Sequence, residues 1–274
     1  MTARGGTSDM KKLLLALVLL WPAAVLADFS EGLAAAQRGD FATAMREWRP
    51  LAEKGDSRAQ HNLGSLYRKG YGVTQDDSEA VKWHSLAAEQ GHAGSQFVLG
   101  HMYANGNGVP KDDAAAARWT GLSAEQGEDE AQAILANMYE NGLGVPKDDA
   151  KAVEWYRLAA EQDITRAQSN LGFMYANGEG VPEDDAEAVK WYRLAAEQGD
   201  AYAQSNLGLM YANGEGVPED FVQAYAWFNL AAAQGRKRTS DNKDIVRKKM
   251  TPAQIAEAQK LSKKLCEKIP NCAK

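Results

Sequence analysis

Two sets of side chains in this sequence are of types that do chemistry: four histidines and two cysteines. Imidazoles bind transition metals and move protons near neutral pH. His61, His84, His92 and His101 fall in one stretch of the chain. His61 and His101 either share one face or stand as two exposed polar residues, and no His-Glu-x-x-His helix is present to favour a metal. Cys266 and Cys272 either close a small disulfide loop or remain two thiols; no histidine lies near them in sequence to complete a metal or redox site. There is no P-loop, no Gly-x-Ser-x-Gly elbow and no Cys-x-x-Cys, and no nucleophile–base pair can be named. Loop acids such as Asp184 and Asp185 resemble a calcium ligand set only loosely, and helix capping accounts for them without an ion. No catalytic residue, cofactor or metal is assigned.

Tryptophans could stack on sugars, but their spacing points elsewhere. Trp83, Trp119, Trp155, Trp191 and Trp227 recur every 36 residues. The same period carries Leu63, Leu99, Leu135, Leu171 and Leu207, and Tyr67, Tyr103, Tyr139, Tyr175 and Tyr211. It also carries glycine pairs from Gly70/Gly72 to Gly214/Gly216. Several residue types sharing one period make a tandem array, and the indoles, in strict register beside alanines, read as core.

Each repeat reads as two helices. Ala203, Leu207 and Tyr211 are four apart, on one helical face. Asn213-Gly214 stops that helix, because glycine tolerates the left-handed conformation of a helix end. The Gly-x-Gly pairs follow helices, not strands, and lack a third glycine, so they are helix stops rather than phosphate cradles. Pro218 cannot continue a helix. Asp76, Asp112, Asp148, Asp184 and Asp220 are N-caps of the second helix, with capping-box spacing at Asp76/Glu79 and Asp184/Glu187. Ala188, Trp191 and Ala195 face one way on the second helix, and Gln198-Gly199 ends it. A hairpin this short cannot bury its apolar stripe alone, so the repeats must stack.

The run Ala-Gln-x-x-Leu-Gly-x-x-Tyr, Gly-x-Gly-Val-Pro-x-Asp, Ala-x-x-Trp-x-x-x-Ala-Ala-x-Gln-Gly, clearest over residues 203–235, resembles the Sel-one-like repeat, a relative of the tetratricopeptide repeat. The resemblance covers residues 57–235 and implies an all-α, α/α solenoid, a right-handed superhelix of tetratricopeptide-like hairpins. Three departures stand out: Thr74 replaces the loop proline, Ala136 replaces the glycine after the leucine, and Asp163-Ile164-Thr165 replaces a glycine turn, which is expected to bend or shift there. In such solenoids the first helix of each hairpin lines a concave groove. Carried over, the groove positions include Phe97, His101, Arg166, Ser169, Phe173, Asn177, Tyr202, Ser205, Leu209 and Asn213. Phe97, Phe173, Tyr202 and Leu209 are apolar where the pattern does not demand it, which suits a peptide or partner helix unless stacking buries them.

The resemblance implies a non-catalytic adaptor or scaffold that binds a protein in the bacterial cell envelope. Some secreted relatives are described as penicillin-binding or β-lactam-hydrolysing, but they are cysteine-rich, and this chain has no cysteine in any repeat. A binder of cell-wall polysaccharide is a third reading.

The ends differ from the array. Lys11 and Lys12 precede an apolar run from Leu13 to Trp21, and small residues lead to Ala27, so residues 1–27 are expected to be a cleaved secretory leader. Met10 is a candidate true start. The expected mature chain begins at Asp28, in a periplasm or outside the cell, and no cysteine follows Ala27 to carry a lipid. Residues 28–56 read as a short capping hairpin with a Gly39-Asp40 turn, and 236–274 as basic capping helices. Thr251, Pro252 and Gln254 start the last one. Ile255, Ala258, Leu261 and Leu265 form its apolar stripe.

Residues 236–274 carry twelve basic and four acidic side chains, a net +8, and 1–27 a net +2; the chain total of −6 leaves −16 on residues 28–235. Acidic repeats exclude nucleic acid as the natural partner. The basic tail, with Arg236, Lys237, Arg238, Arg247, Lys248 and Lys249, either docks on an acidic surface such as anionic lipid or another copy, or is a solvated cap.

Overall fold

The computed structural model describes residues 28–270 and Cys272, apart from the side chains of Lys237 and Arg238. The leader expected over 1–27 and its cleavage after Ala27 lie outside the described residues. Those described form fourteen α-helices and no strand. In chain order these are α1 (Phe29–Gln37), α2 (Phe41–Glu53), α3 (Ser57–Lys69), α4 (Asp77–Glu89), α5 (Ala93–Asn105), α6 (Asp113–Glu125) and α7 (Asp129–Asn141). Then come α8 (Asp149–Glu161), α9 (Thr165–Asn177), α10 (Asp185–Glu197), α11 (Ala201–Asn213), α12 (Phe221–Ala233), α13 (Lys237–Arg247) and α14 (Pro252–Cys266). No helix among the described residues is long and apolar enough to cross a membrane. The chain divides into two compact units, with the boundary between Leu86 and Ala87, inside α4.

In the N-terminal unit the short hairpin α1–α2 turns at Gly39, with Asp40 Oδ1 accepting the Thr43 N–H at 3.1 Å. Trp48 is buried and its Nε1 donates to the Phe29 carbonyl at 3.2 Å. A Cβ on Gly32 would lie 2.4 Å from that nitrogen, so α1 approaches α2 this closely only because residue 32 is glycine. Trp48, Leu63, Leu66 and Trp83 share one core with small alanines.

Inside each repeat the same physics recurs. The first helix ends on a left-handed glycine, from Gly70 to Gly214. The capping aspartate of the second helix then donates its own N–H to the tyrosine carbonyl of the first, as Asp184 does to Tyr175 at 3.0 Å. Those two fixings turn the chain back on itself. At Gly144, Gly180 and Gly216 the second glycine of the loop rests on the first turn of the preceding second helix, so that a Cβ at Gly180 would collide with the Asp149 carbonyl oxygen. Of the anticipated capping boxes only the aspartate half forms. Asp76 and Asp184 accept from the N–H groups of Glu79 and Glu187 at 3.0 Å, while those glutamates pair with Lys82 and Lys190.

Stacking in the C-terminal unit uses a device the repeat pattern displayed but did not explain, the glutamine after each alanine. Gln168 is fully buried; its Nε2 donates to the Ala160 carbonyl of the preceding helix at 3.1 Å, and its Oε1 accepts from Gln198 Nε2 at 2.8 Å. Gln96, Gln132 and Gln204 repeat the arrangement with Gln126, Gln162 and Gln234. Each link adds a second, side-chain donor to a helix-end carbonyl that already accepts a turn N–H, as Ala160 O does from Asp163.

Two expectations need correction. The turn at Asp163 is neither bent nor shifted: Asp163 takes the left-handed conformation itself (φ 64°), and Ile164 N–H bonds to Ala159 O as Asp200 N–H bonds to Ala195 O. What is lost is the cap, since Ile164 has no side-chain acceptor. The indoles are core at 83, 119, 191 and 227, but Trp155 is only half-buried.

The last two helices close the array. α13 packs on α12 as a further first helix would. α14 begins with the full Thr251–Gln254 capping box and lies along the outer face of α12, where Ser262 Oγ donates to Ala226 O at 3.4 Å and accepts from Asn229 Nδ2 at 3.1 Å. That face is specialised. The outward Lys190, Arg193 and Glu197 of α10 become Ala226, Asn229 and Ala233 in α12. Leu194 is 38% exposed, whereas its equivalent Leu230 is 5% exposed. Cys266 and Cys272 form a disulfide, and Ile269 between them is buried.

Candidate functional site

The first helices of the C-terminal unit carry the groove positions, and the structure sorts them. Ser169 and Ser205, expected in the groove, are buried instead. Ser169 Oγ donates to Asp200 Oδ1 at 3.0 Å, and Ser205 Oγ lies 2.9 Å from Thr239 Oγ1. Asp200 caps α11 and Thr239 belongs to α13, so each hydroxyl ties its own helix to the next one stacked beside it. Phe97 is half-buried against Ala124, Ala131 and Leu135. His101 is exposed beside Asn105. Arg166 is exposed and paired with the Glu130 carboxylate. Asn213 is exposed, with Nδ2 donating to Glu215 at 3.1 Å.

Phe173, Asn177, Tyr202 and Leu209 are brought together. They line a cavity of about 330 Å³ between α9 and α11. Phe173 and Asn177 come from the last two turns of α9, and Tyr202, Asn206 and Leu209 from α11. Tyr192 of α10 forms part of the wall, its ring 6.5 Å from that of Tyr202. Gly172 makes room for it: a Cβ there would sit 2.9 Å from the Tyr192 ring. Burial, and then the neighbouring Tyr202, push the Tyr192 hydroxyl far above the ordinary tyrosine value, so it stays neutral and is no base.

Three carboxylates complete the lining: Glu183 and Glu215 from the two loops and Asp185 at the start of α10. None of the three was picked out from the sequence for this role, although a signal was there. The residue directly after Val-Pro is lysine at 111 and 147 but glutamate at 183 and 219, and the residue between the glycines is Asn107 or Leu143 but Glu179 and Glu215. The exchange changes the electrostatics. Lys111 pairs with Asp113 at 3.3 Å and Lys147 with Asp149 at 3.2 Å. Asp185, their equivalent, has Glu183 in place of the lysine.

The cavity is therefore lined by aromatic side chains together with three carboxylates. Among the described residues no group of three or more histidine, cysteine, aspartate or glutamate side chains is arranged to hold a metal ion. His61 packs edge-on against the buried His84, with ring centroids 5.3 Å apart.

The Sel1 repeat profile matches residues 57–92, 93–128, 129–164, 165–200 and 201–235. A crystal structure of a Sel1 repeat protein from Oxalobacter formigenes is 31% identical with a TM-score of 0.75, covering 86% of this chain and 99% of that one. The protective antigen c5321 of uropathogenic Escherichia coli, which displays the SLR fold, is 26% identical over 89% of this chain and 84% of that one, with a TM-score of 0.37. A putative sel1 repeat protein from Klebsiella pneumoniae is 25% identical over 74% of this chain and 99% of that one, with a TM-score of 0.42. No curated protein matches the chain.

Proposed function

The chain belongs to the Sel1 repeat family, and from that premise we propose that it is an adaptor of the bacterial cell envelope that holds a partner peptide or protein on its first-helix face. Sel1 repeat proteins are in general protein-interaction scaffolds, and the fold is typically non-catalytic. The observation that carries the reading for this chain is the cavity between α9 and α11. Phe173, Tyr202 and Leu209 line it without being fully used in stacking, and side chains of that kind anchor peptides. The envelope location rests on the leader-like composition of residues 1–27 and is supported by the Cys266–Cys272 disulfide, a bond that persists in oxidising compartments.

The test uses Phe173→Ser and Leu209→Ser proteins that melt within a few degrees of the native chain. Each is crosslinked in the envelope fraction, and the captured partners are identified by mass spectrometry. The folded variants are expected to lose a partner that the native chain retains; full retention by both overturns the groove assignment. N-terminal sequencing of the exported protein is expected to start at Asp28. Nitrocefin hydrolysis by the pure protein would contradict the non-catalytic reading.

A further inference from the structure

The loops of the fourth and fifth repeats differ from those of the second and third in one consistent way: neutral or basic residues become glutamates. Two of the four glutamates, Glu183 and Glu215, one from each loop, line the same cavity. Glu183 replaces the lysine that elsewhere neutralises the first aspartate of the second helix, so Asp185 keeps its charge unpaired by the loop, and Glu215 brings a third carboxylate from the next repeat. Carboxylates that share a rim repel one another, an unfavourable arrangement that a bound cation relieves.

The walls suit the same occupant. Tyr202 is a half-buried wall residue, and aromatic faces attract ammonium and guanidinium groups. Its ring already does so within the chain: the Arg236 guanidinium lies 5.0 Å from the centroid of Tyr202. The size also fits. A cavity of about 330 Å³ stands at the small end of ligand pockets, roughly 300–1,000 Å³, so it admits a side chain rather than a folded domain. A bare metal ion does not fit, because the acids are spread around the opening and do not converge. The net −16 over residues 28–235 adds a long-range field that draws basic segments in and keeps acidic ones away.

We propose that the cavity between α9 and α11 takes an arginine or lysine side chain, so the segment held on this face is a basic peptide. The proposal rests on the binding reading given above and narrows it to one class of partner. The carboxylates of Glu183, Asp185 and Glu215 hold the cationic head, Tyr202, backed by the buried Tyr192, flanks it, and Phe173 and Leu209 meet the aliphatic stem or a neighbouring apolar residue.

The repeats themselves supply the test variant. Glu183→Lys with Glu215→Asn gives the fourth and fifth loops the residues found at 147 and 107, where the same loop folds with them. A control variant, Glu125→Lys with Glu161→Lys, changes two exposed acids on second helices and alters the net charge at least as much. Three labelled nine-residue peptides serve as probes, alternating leucine with arginine, serine or glutamate, and binding is read by fluorescence anisotropy and by NMR shifts at Phe173, Tyr192, Tyr202 and Leu209. The arginine peptide is expected to shift those four residues, and to bind about tenfold or more tighter than the serine peptide. The loop variant should lose that advantage while the control keeps most of it. Equal weakening in both variants overturns the proposal, because it would make the attraction a property of net charge alone. If the serine peptide binds the cavity as well as the arginine peptide does, the charge inference fails and the peptide-binding reading survives. If no peptide shifts any first-helix residue, both fail.

Discussion

Replacing Gln168 by methionine tests how the repeats are joined. Methionine has nearly the shape of glutamine and lacks its amide. The substitution removes the bond to Ala160 O (3.1 Å), the one accepted from Gln198 Nε2 (2.8 Å) and a longer one to Asp163 Oδ1 (3.4 Å). Neither of the first two partners is left orphaned: Ala160 O still accepts from Asp163 N–H at 3.1 Å, and Gln198 Nε2 still reaches Asp163 O at 3.3 Å. The large penalty for an unsatisfied buried group therefore does not apply, and the loss is two ordinary hydrogen bonds and one long one to an exposed residue, about 2–3 kcal/mol, partly offset by burying an apolar side chain instead of an amide. A net loss of about 1–2 kcal/mol is expected. Gln168→Ala adds a cavity and should cost about 1–2 kcal/mol more. The assay is urea unfolding of the whole chain, comparing midpoints at unchanged slope. A Gln168→Met protein within about 0.5 kcal/mol of the native one, beside a strongly destabilised Gln168→Ala, would mean that the glutamine only fills space, and the reasoning would fail.

Other consequences can be measured on the same chain. His92 caps α5 by accepting the Ser95 N–H on Nδ1 at 3.2 Å, and burial holds its pKa below the ordinary 6.5. The unfolded chain therefore takes up the proton first, so stability is level above that value and falls as the pH drops through 6.5 toward the folded pKa. His92→Asp, which copies the caps at Asp56 and Asp200, should flatten that slope in a series of melts. Trp191→Ala should cost about 3–5 kcal/mol, and Trp155→Ala clearly less, because Trp155 is only half-buried; equal costs would refute the burial argument. Gly208→Ala would place a Cβ 2.7 Å from the Phe228 ring and should destabilise by about 1–3 kcal/mol. Asp163→Gly relieves a left-handed aspartate and should stabilise by about 0.5–1 kcal/mol, read as a raised melting temperature.

The candidate site was half legible. Phe173, Asn177, Tyr202 and Leu209 were among the first-helix groove positions carried over from related solenoids, three of them apolar where the repeat does not demand it. Ser169 and Ser205 came by the same rule and were misplaced, because a short hydroxyl next to a helix end is as easily consumed by a neighbour as shown to solvent. Tyr192, a second-helix residue, was missed altogether. It reaches the cavity only because Gly172 and the stacking of α9 and α10 open a path for its ring.

Period and residue type alone determined the helical hairpins, their stops, their caps and the stacked core, because each of those comes from contacts within a few residues or from a face repeated every 36 positions. Only the tertiary structure decided which polar side chains are spent between repeats and which remain for a partner. That outcome depends on distances between residues thirty or more positions apart, as in the pairing of Gln168 with Gln198 or Ser169 with Asp200. A sequence read one repeat at a time does not contain those distances, since they arise when neighbouring repeats settle against each other.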